Sequence, residues 1–595
     1  MKNIHNFRRI GLMTLLMLLM NPLCAQITFY EVTTPEAGKL ETTLGDDKDS
    51  IVALRVIGNL NATDITTLRA MLGYSNGNFV DCNLRILDLS QAHIVEGGEP
   101  YVVGLGHKTE AGIIGREMFA WCYGLVAIAL PEDTKKIDGD AFSACNNLLE
   151  CVMPNGIDSI GRYAFQMCWY LQYVKLPASL KYIGELAFNG CKSLKELYIP
   201  DEVTVIETNA FAGCDSIETV RLSPVLKELH PGAFQENFLL KEIEIPGGVK
   251  EIGYRAFFRC GSLQKVKLNE GTEVIGTGAF ELCEVLSDIN LPKSTNMIDG
   301  WAFYLCNSLK ELHLPDGITE IGQQAFGGCK QLVTINIPAS LKVIPTDAFI
   351  RCESLKEITI PSTVNQIHNS AFWRSGLERV TIPSSVTFLG RDIFSKCEHL
   401  EEVSLPDNMT EITDGFFYHC HSLKSITLPN SITKIGKLAF VQCPFTTLYL
   451  PKGVQTLGKF SLYQCSKLET LYIPSTLTSI GESAISECTA LKDIYCDCQT
   501  PPTCERKVFK GTRTAQCTLH VPVGSSQAYQ ADDTFKIFSN IVEEDMSDID
   551  PIMMDRNDSQ ILLRYSPNGT LLQTNRKGFN IIKNADGTTR KIFCR

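Results

Sequence analysis

The chain carries no H-E-x-x-H, no phosphate-cradling G-x-x-x-x-G-K-S/T and no dinucleotide-binding glycine fingerprint. Those absences leave no motif-marked route to zinc-peptidase, nucleotide-triphosphate or NAD chemistry, and no cofactor or metal is expected. Positive charge is also short. Lys and Arg number 55 against 67 Asp and Glu, for a net charge of -12, and no Lys/Arg cluster stands out along the chain. An acidic surface repels phosphate backbones, which counts against nucleic acid as a partner. The ten His are scattered apart from one group, His419 and His421 around Cys420 with Glu398 and His399 one repeat earlier. A zinc site there needs further ligands in place, and exposed polar turn residues are the preferred reading. Membrane-spanning runs are lacking too. The apolar stretch Ile10 to Met20 is too short for a transmembrane helix, and it follows Lys2, Arg8 and Arg9 and precedes Leu23-Cys24-Ala25. Residues 1-25 therefore read as a Sec signal peptide cleaved after Ala25. Cys24 raises the alternative of a lipoprotein, although Asn21-Pro22-Leu23 lacks the small residues a lipidation site wants.

What the chain has in quantity is repetition. The stretch Leu309 to Gln331, LKELHLPDGITEIGQQAFGGCKQ, recurs with its Phe at 119, 142, 165, 188, 211, 234, 257, 280, 303, 326, 349 and 372, each 23 residues apart. The series continues through Phe394, Phe417, Phe440, Leu462 and Ile485, making seventeen units. A fixed period of this length is the signature of a solenoid. Within one unit, Leu312 and Leu314 alternate around His313 as in a half-buried strand, and Pro315 and the Asp316-Gly317 turn end it. Ile318 and Ile321 form a second inward pair, Gly322 permits a corner, and Ala325, Phe326 and Cys329 suit one inward-facing turn of helix or 3₁₀ structure. With Leu309, eight residues of 23 point inward. That is too few for a core, so coils must stack. The strands are expected to form one parallel ladder at about 4.8 Å per coil, on the order of 75 to 80 Å in all.

This unit, L-x-x-I-x-I-P-x-x-V-x-x-I-G-x-x-A-F-x-x-C, resembles the leucine-rich repeat of the BspA-like surface proteins of anaerobic Gram-negative bacteria. The resemblance runs from about Asp64 to the C-terminus and includes LDLSQAHIVEGG at Leu87 to Gly98. It implies a curved, right-handed leucine-rich-repeat coil, of α/β-type or mainly-β class, at the cell surface, binding host or neighbour macromolecules.

Residues 26-112 are then an N-terminal cap, with an amphipathic helix from Thr63 to Leu72 begun by Thr63 or Asp64, because an open solenoid end would leave its ladder in water. Residues 113-495 are the solenoid and 496-542 a C-terminal cap. Residues 543-560 are an acidic linker, and 561-595 a small β module of four strands, Ile561 to Tyr565, Thr570 to Gln573, Phe579 to Lys583 and Arg590 to Phe593. That module resembles the sorting signals of proteins exported across the outer membrane of the same bacterial group.

Fifteen of the 23 cysteines fall in one column of the repeat, Cys122 through Cys488. Side chains in register on parallel coils suit disulfide geometry poorly, so these read as buried free thiols acting as small apolar groups. Asn237 and Ser375 replace Cys without ending the array. Cys496, Cys498, Cys504 and Cys517 match no common zinc spacing, and local disulfides or free thiols are expected there.

The position of His313 faces outward and varies from coil to coil. Two groups of candidate ligand-binding residues lie in that column: Lys175, Tyr198 and Arg221 form a basic aromatic patch, and Tyr449, Tyr472 and Tyr495 an aromatic stripe. Tyr and Arg favour interfaces, while Tyr also suits any strand surface. Trp121 and Trp169, with Tyr123 and Tyr170, form a further patch able to stack on sugars or simply to cover neighbouring coils. The whole reads as a monomeric, non-enzymatic exported protein that binds an extracellular protein or glycoprotein, or alternatively a glycan for nutrient capture.

Overall fold

A computed structural model of the chain describes residues 28-102 and 104-546 in full, and beyond them the backbone of three strands, Ile561–Tyr565, Gly578–Asn584 and Thr589–Cys594. The chain divides into two compact units, one of Met1–Pro406 with Gly415–Ser422 and one of Asp407–Asp414 with Leu423–Arg595. Each unit is a parallel-strand solenoid. In the coil from Leu309 to Gln331 all eight inward positions are buried, none of them more than 6% exposed.

Two parallel ladders, not one, run through each unit. The first uses the expected strands, such as Glu196–Tyr198, Thr219–Arg221 and Glu242–Ile245 in the larger unit and Thr447–Tyr449, Thr470–Ile473 and Asp493–Cys496 in the smaller. The second consists of two-residue strands at the Ile321 position. Ten of these, from Ile113–Ile114 to Glu320–Ile321, form one continuous sheet. A two-residue strand contains no alternation, so hydrophobic periodicity alone does not reveal it.

The third side of the coil departs from expectation as well. The Ala-Phe-x-x-Cys segment is neither helix nor 3₁₀ but a run of turns. The residues two before and two after the Phe have positive φ, as at Gln324 (54°) and Gly328 (73°) or Asp140 (57°) and Ala144 (59°). Left-handed residues break a right-handed helix and cost roughly 1–2 kcal/mol each outside glycine. The return is a third set of bonds between coils. Asp140 N donates to Arg162 O at 2.8 Å, Phe142 N to Ala164 O at 2.7 Å and Ala144 N to Gln166 O at 2.8 Å, and the pattern repeats along the unit. Gly322 likewise serves close approach more than a corner. A Cβ there would lie 2.1 Å from Gly300 N in the preceding coil.

Fourteen Phe rings, Phe119 to Phe417, stack along the larger unit with centroids 5.0–5.9 Å apart and planes within 13°. Burial contributes about 1.5–3 kcal/mol per ring, and offset stacking about 0.5–1.5 kcal/mol more. The cysteines beside them are free thiols and do more than fill space. Cys145 Sγ donates to Phe119 O, Cys306 Sγ to Phe280 O at 3.2 Å and Cys465 Sγ to Phe440 O at 3.1 Å, in each case the Phe of the preceding coil. Asn237 makes the same bond through Nδ2, at 3.1 Å to Phe211 O, which is why it replaces Cys without breaking the array. Its Oδ1 is buried without a partner. Cys496, Cys498, Cys504 and Cys517 are free thiols too.

The expected helix is present as Ala62–Met71, but its cap is Asn61, slightly earlier in the chain than Thr63 or Asp64. Asn61 Oδ1 accepts from Thr63 N at 3.0 Å while Asp64 Oδ2 accepts from Asn61 N at 2.9 Å, so Asp64 is the reciprocal half of a capping box. Strands from this region, Ala53–Leu60 and Ile86–Asp88, extend the first ladder to Ala127–Ala129. At the other end Thr518–Pro522 and Asn540–Glu544 add two more parallel strands, the last running two residues past the expected boundary at 542. The three C-terminal strands pair antiparallel. The expected strand Thr570 to Gln573 and the signal peptide lie outside the described residues.

Burial pushes the column thiols up, Cys260 and Cys329 to about 12. A group whose folded pKa is raised stabilises the fold below its unfolded value and loses that contribution as pH climbs. The midpoint in urea should therefore hold up to about pH 8.5 and then fall steadily, as the unfolded thiols ionise first. The native thiols should also resist alkylation at pH 8 and all react in denaturant. Asn237→Cys should stabilise the protein by about 1 kcal/mol by removing the orphaned Oδ1, whereas Cys306→Ala should cost about 1–3 kcal/mol through the lost thiol bond to the Phe280 carbonyl and the space the buried sulfur leaves, both read from urea unfolding.

Candidate binding surface

In each first-ladder coil the outward residue stands between two inward ones, as Tyr198 does between Leu197 and Ile199 and Tyr449 between Leu448 and Leu450, so the variable column forms a row along one face. In the N-terminal group Tyr198 and Arg221 stand directly opposite each other on paired strands. Tyr198 is 63% exposed, and Arg221 forms an ion pair with Asp201 at 2.8 Å. Between exposed groups such a pair contributes at most about 1 kcal/mol, but it offsets the positive charge expected of this patch. Lys175 is exposed just past the end of Tyr173–Val174, and that strand is not paired with Glu196–Tyr198. The structure thus joins two members of this group through the ladder and leaves the third outside the pairing.

The second group is tighter. Tyr449, Tyr472 and Tyr495 are in register on adjacent strands, with ring centroids 4.3 and 4.7 Å apart and planes within 12°. A fourth ring continues the file. His520, opposite Tyr495, stacks on it at 4.2 Å and is held by Asp493 Oδ1 at 3.2 Å and Glu544 Oε1 at 2.9 Å. Reading T-L-H-V-P at Thr518 as one more strand would have placed His520 in the outward column. Tyr449 is 38% exposed and Tyr472 and Tyr495 half-buried, so the file offers ring edges and hydroxyls to solvent more than ring faces. Burial, then the neighbouring Tyr449, raises the Tyr472 phenol above its ordinary value, and burial does the same at Tyr495.

On the other side of the coils Trp121 and Trp169 are 46% and 44% exposed. Tyr123 is tied down instead, its hydroxyl donating to Val80 O and its ring edge-on to Phe79. The His419 and His421 rings lie 5.3 Å apart, with His419 stacked on Tyr418. Burial first, then His421, lowers the His419 pKa. Among the described residues no group of three or more His, Cys, Asp or Glu is placed to hold a metal ion, and no helix is long and apolar enough to cross a membrane.

The family model described as a BspA type leucine-rich repeat region matches residues 112–239, 158–286, 227–352, 273–401 and 389–516. Among solved structures, a leucine-rich repeat protein from Bacteroides ovatus is 24% identical, covering 69% of this chain and 86% of that one, with a TM-score of 0.36. A leucine-rich cell surface protein from Faecalibacterium prausnitzii is 21% identical over 70% of this chain and 89% of that one, TM-score 0.29. The pneumococcal vaccine antigen PcpA is 16% identical over 71% and 89%, TM-score 0.35. No curated protein matches the chain.

The raised phenols set a pH dependence for this face. Their contribution is present below the ordinary tyrosine pKa near 10 and is lost above it, because the unfolded chain ionises first. Tyr472→Phe should therefore flatten the decline in stability between pH 10 and 11 relative to the parent protein, measured by urea unfolding at each pH.

Proposed function

Because this chain belongs to the BspA-type leucine-rich-repeat family, we propose that it is an exported, non-enzymatic surface or secreted protein that binds an extracellular protein or glycoprotein through its outward strand column. The observation that carries this reading is the file Tyr449, Tyr472, Tyr495 and His520. Four rings are held in register by paired strands, and they vary a position at which other coils carry Thr, Ser or Asn. Stacking fixes the rings before any partner arrives, so little side-chain entropy is lost on contact. Tyr hydroxyls and ring edges supply the mixed apolar and polar contact that interface anchors use. Tyr198 opposite Arg221 is a second, smaller candidate of the same chemistry.

Two measurements test this reading. Full-length protein applied to arrayed extracellular matrix proteins, glycoproteins and glycans should bind at least one protein. Tyr449, Tyr472 and Tyr495 changed together to Ala should weaken that binding at least tenfold while far-UV circular dichroism stays unchanged. Unaltered binding by a folded triple variant would discard the file as a site, and binding confined to glycans would favour nutrient capture. N-terminal sequencing of protein recovered from the producing cell should begin at Gln26, whereas a blocked, acylated Cys24 would replace the cleaved form with a lipoprotein.

A further inference from the structure

On the turn side of the larger unit, away from the strand column, residues of four successive coils leave a shallow notch of about 320 Å³. Its floor is Gly328, its walls Tyr304 and Leu305 on one side and Ile350 and Arg351 on the other, and Ser370 and Trp373 close its end. Glycine is what opens it. A Cβ on Gly328 would lie 2.5 Å from Leu305 Cδ2, and one on the adjacent Gly327 2.9 Å from Ile350 Cγ2.

Charge converges here in a way that a linear reading misses. The left-handed position two residues after the Phe holds Arg351, Arg374 and Lys396 in three consecutive coils, each 22 or 23 residues from the last. Arg374 is paired with Glu353 at 3.6 Å. Arg351 and Lys396 have no ion-pair partner among the described residues. They flank Trp373 instead, with Arg351 Cζ 5.6 Å and Lys396 Nζ 5.1 Å from the ring centroid. An indole positions a cation through its electron density without neutralising it. Two cations are thus held in place, in a protein of net charge -12, with their charge left for something else.

We propose that this notch binds an acidic sugar, a carboxylated or sulfated unit of a glycan, with its anionic group at Arg351 and its ring over the glycine floor, while Lys396, on the far side of Trp373, adds positive potential. Guanidinium matches a carboxylate or sulfate in paired hydrogen bonds, while Lys396 adds a point charge. Tyr304 and Ser370, both lining the notch, supply hydroxyls for those of a sugar. A peptide fits less well, because the backbone at the notch is already used. Gln324 N bonds Thr346 O, Gly328 N bonds Ile350 O and Arg351 N bonds Trp373 O, so no strand is open for pairing. This site does not depend on the tyrosine file.

Calorimetry on full-length protein at low salt tests it, with four probes of similar length: a heparin-derived hexasaccharide, a hexagalacturonate, maltohexaose and a short poly-L-glutamate. At least one acidic oligosaccharide should bind, more weakly as salt rises. Arg351→Ala with Lys396→Ala should weaken it at least tenfold, as should Ser370→Glu, which sets a carboxylate in the notch. The triple tyrosine variant should bind the oligosaccharide normally. The proposal is overturned if neither acidic oligosaccharide binds, if maltohexaose or polyglutamate binds as tightly, or if both notch variants, folded by circular dichroism, bind as the parent does.

Discussion

Every coil in the phenylalanine stack is tied to the next through that residue. In most coils the ring lies against the ring one coil on, the N–H donates to the alanine carbonyl of that coil, and the carbonyl accepts the thiol of that coil's cysteine, as at Phe142 with Phe165, Ala164 and Cys168. Asn237 replaces the thiol on Phe211, and Ile393 and Phe416 replace the alanine for Phe372 and Phe394. One residue thus supplies apolar, backbone and side-chain links at once. No coil has an interior of its own, so stability accrues from neighbour to neighbour. The left-handed residues on either side of the phenylalanine belong to the same arrangement. They cost backbone energy locally and turn three N–H groups along the axis, where they are used.

This division of labour sets what is free to vary. Inward positions are constrained by stacking on both sides, while the residue between the two inward positions of the first ladder, as at Tyr198, and left-handed residues such as Arg351 and Arg374 face solvent. The proposed recognition chemistry lies in those two columns. One carries the rings from Tyr449 to His520, the other the cations around Trp373. Residues far apart along the chain become neighbours by sharing a column, which is how an acidic protein acquires a local basic site.

Much of the fold is legible in the sequence because seventeen imperfect copies average out the noise in any one. The eight inward positions, the free thiols of the column and the outward tyrosines all follow from period and pattern. The second ladder does not, since Glu320–Ile321 is too short to alternate. The left-handed turns are hidden because glycine marks only some of them, at Gly190, Gly213 and Gly328, while Glu, Arg and Leu stand at others. The thiols read as fillers because packing and hydrogen bonding ask for the same small buried group, and only Asn237 hints at the donor. Arg351 and Lys396 are concealed for a plainer reason, in that their charges cluster down a column and not along the chain.

Amide hydrogen exchange resolved to the turn segments puts this account at most direct risk. Peptides covering residues 138-146 and 161-169 should show the amides of Phe142, Ala144, Phe165 and Met167 protected as strongly as those of the neighbouring ladder strands, although no helix or strand contains them. Exchange of these amides at the rate of exposed loops would mean that the phenylalanine segments do not bind coil to coil, and the account would fail.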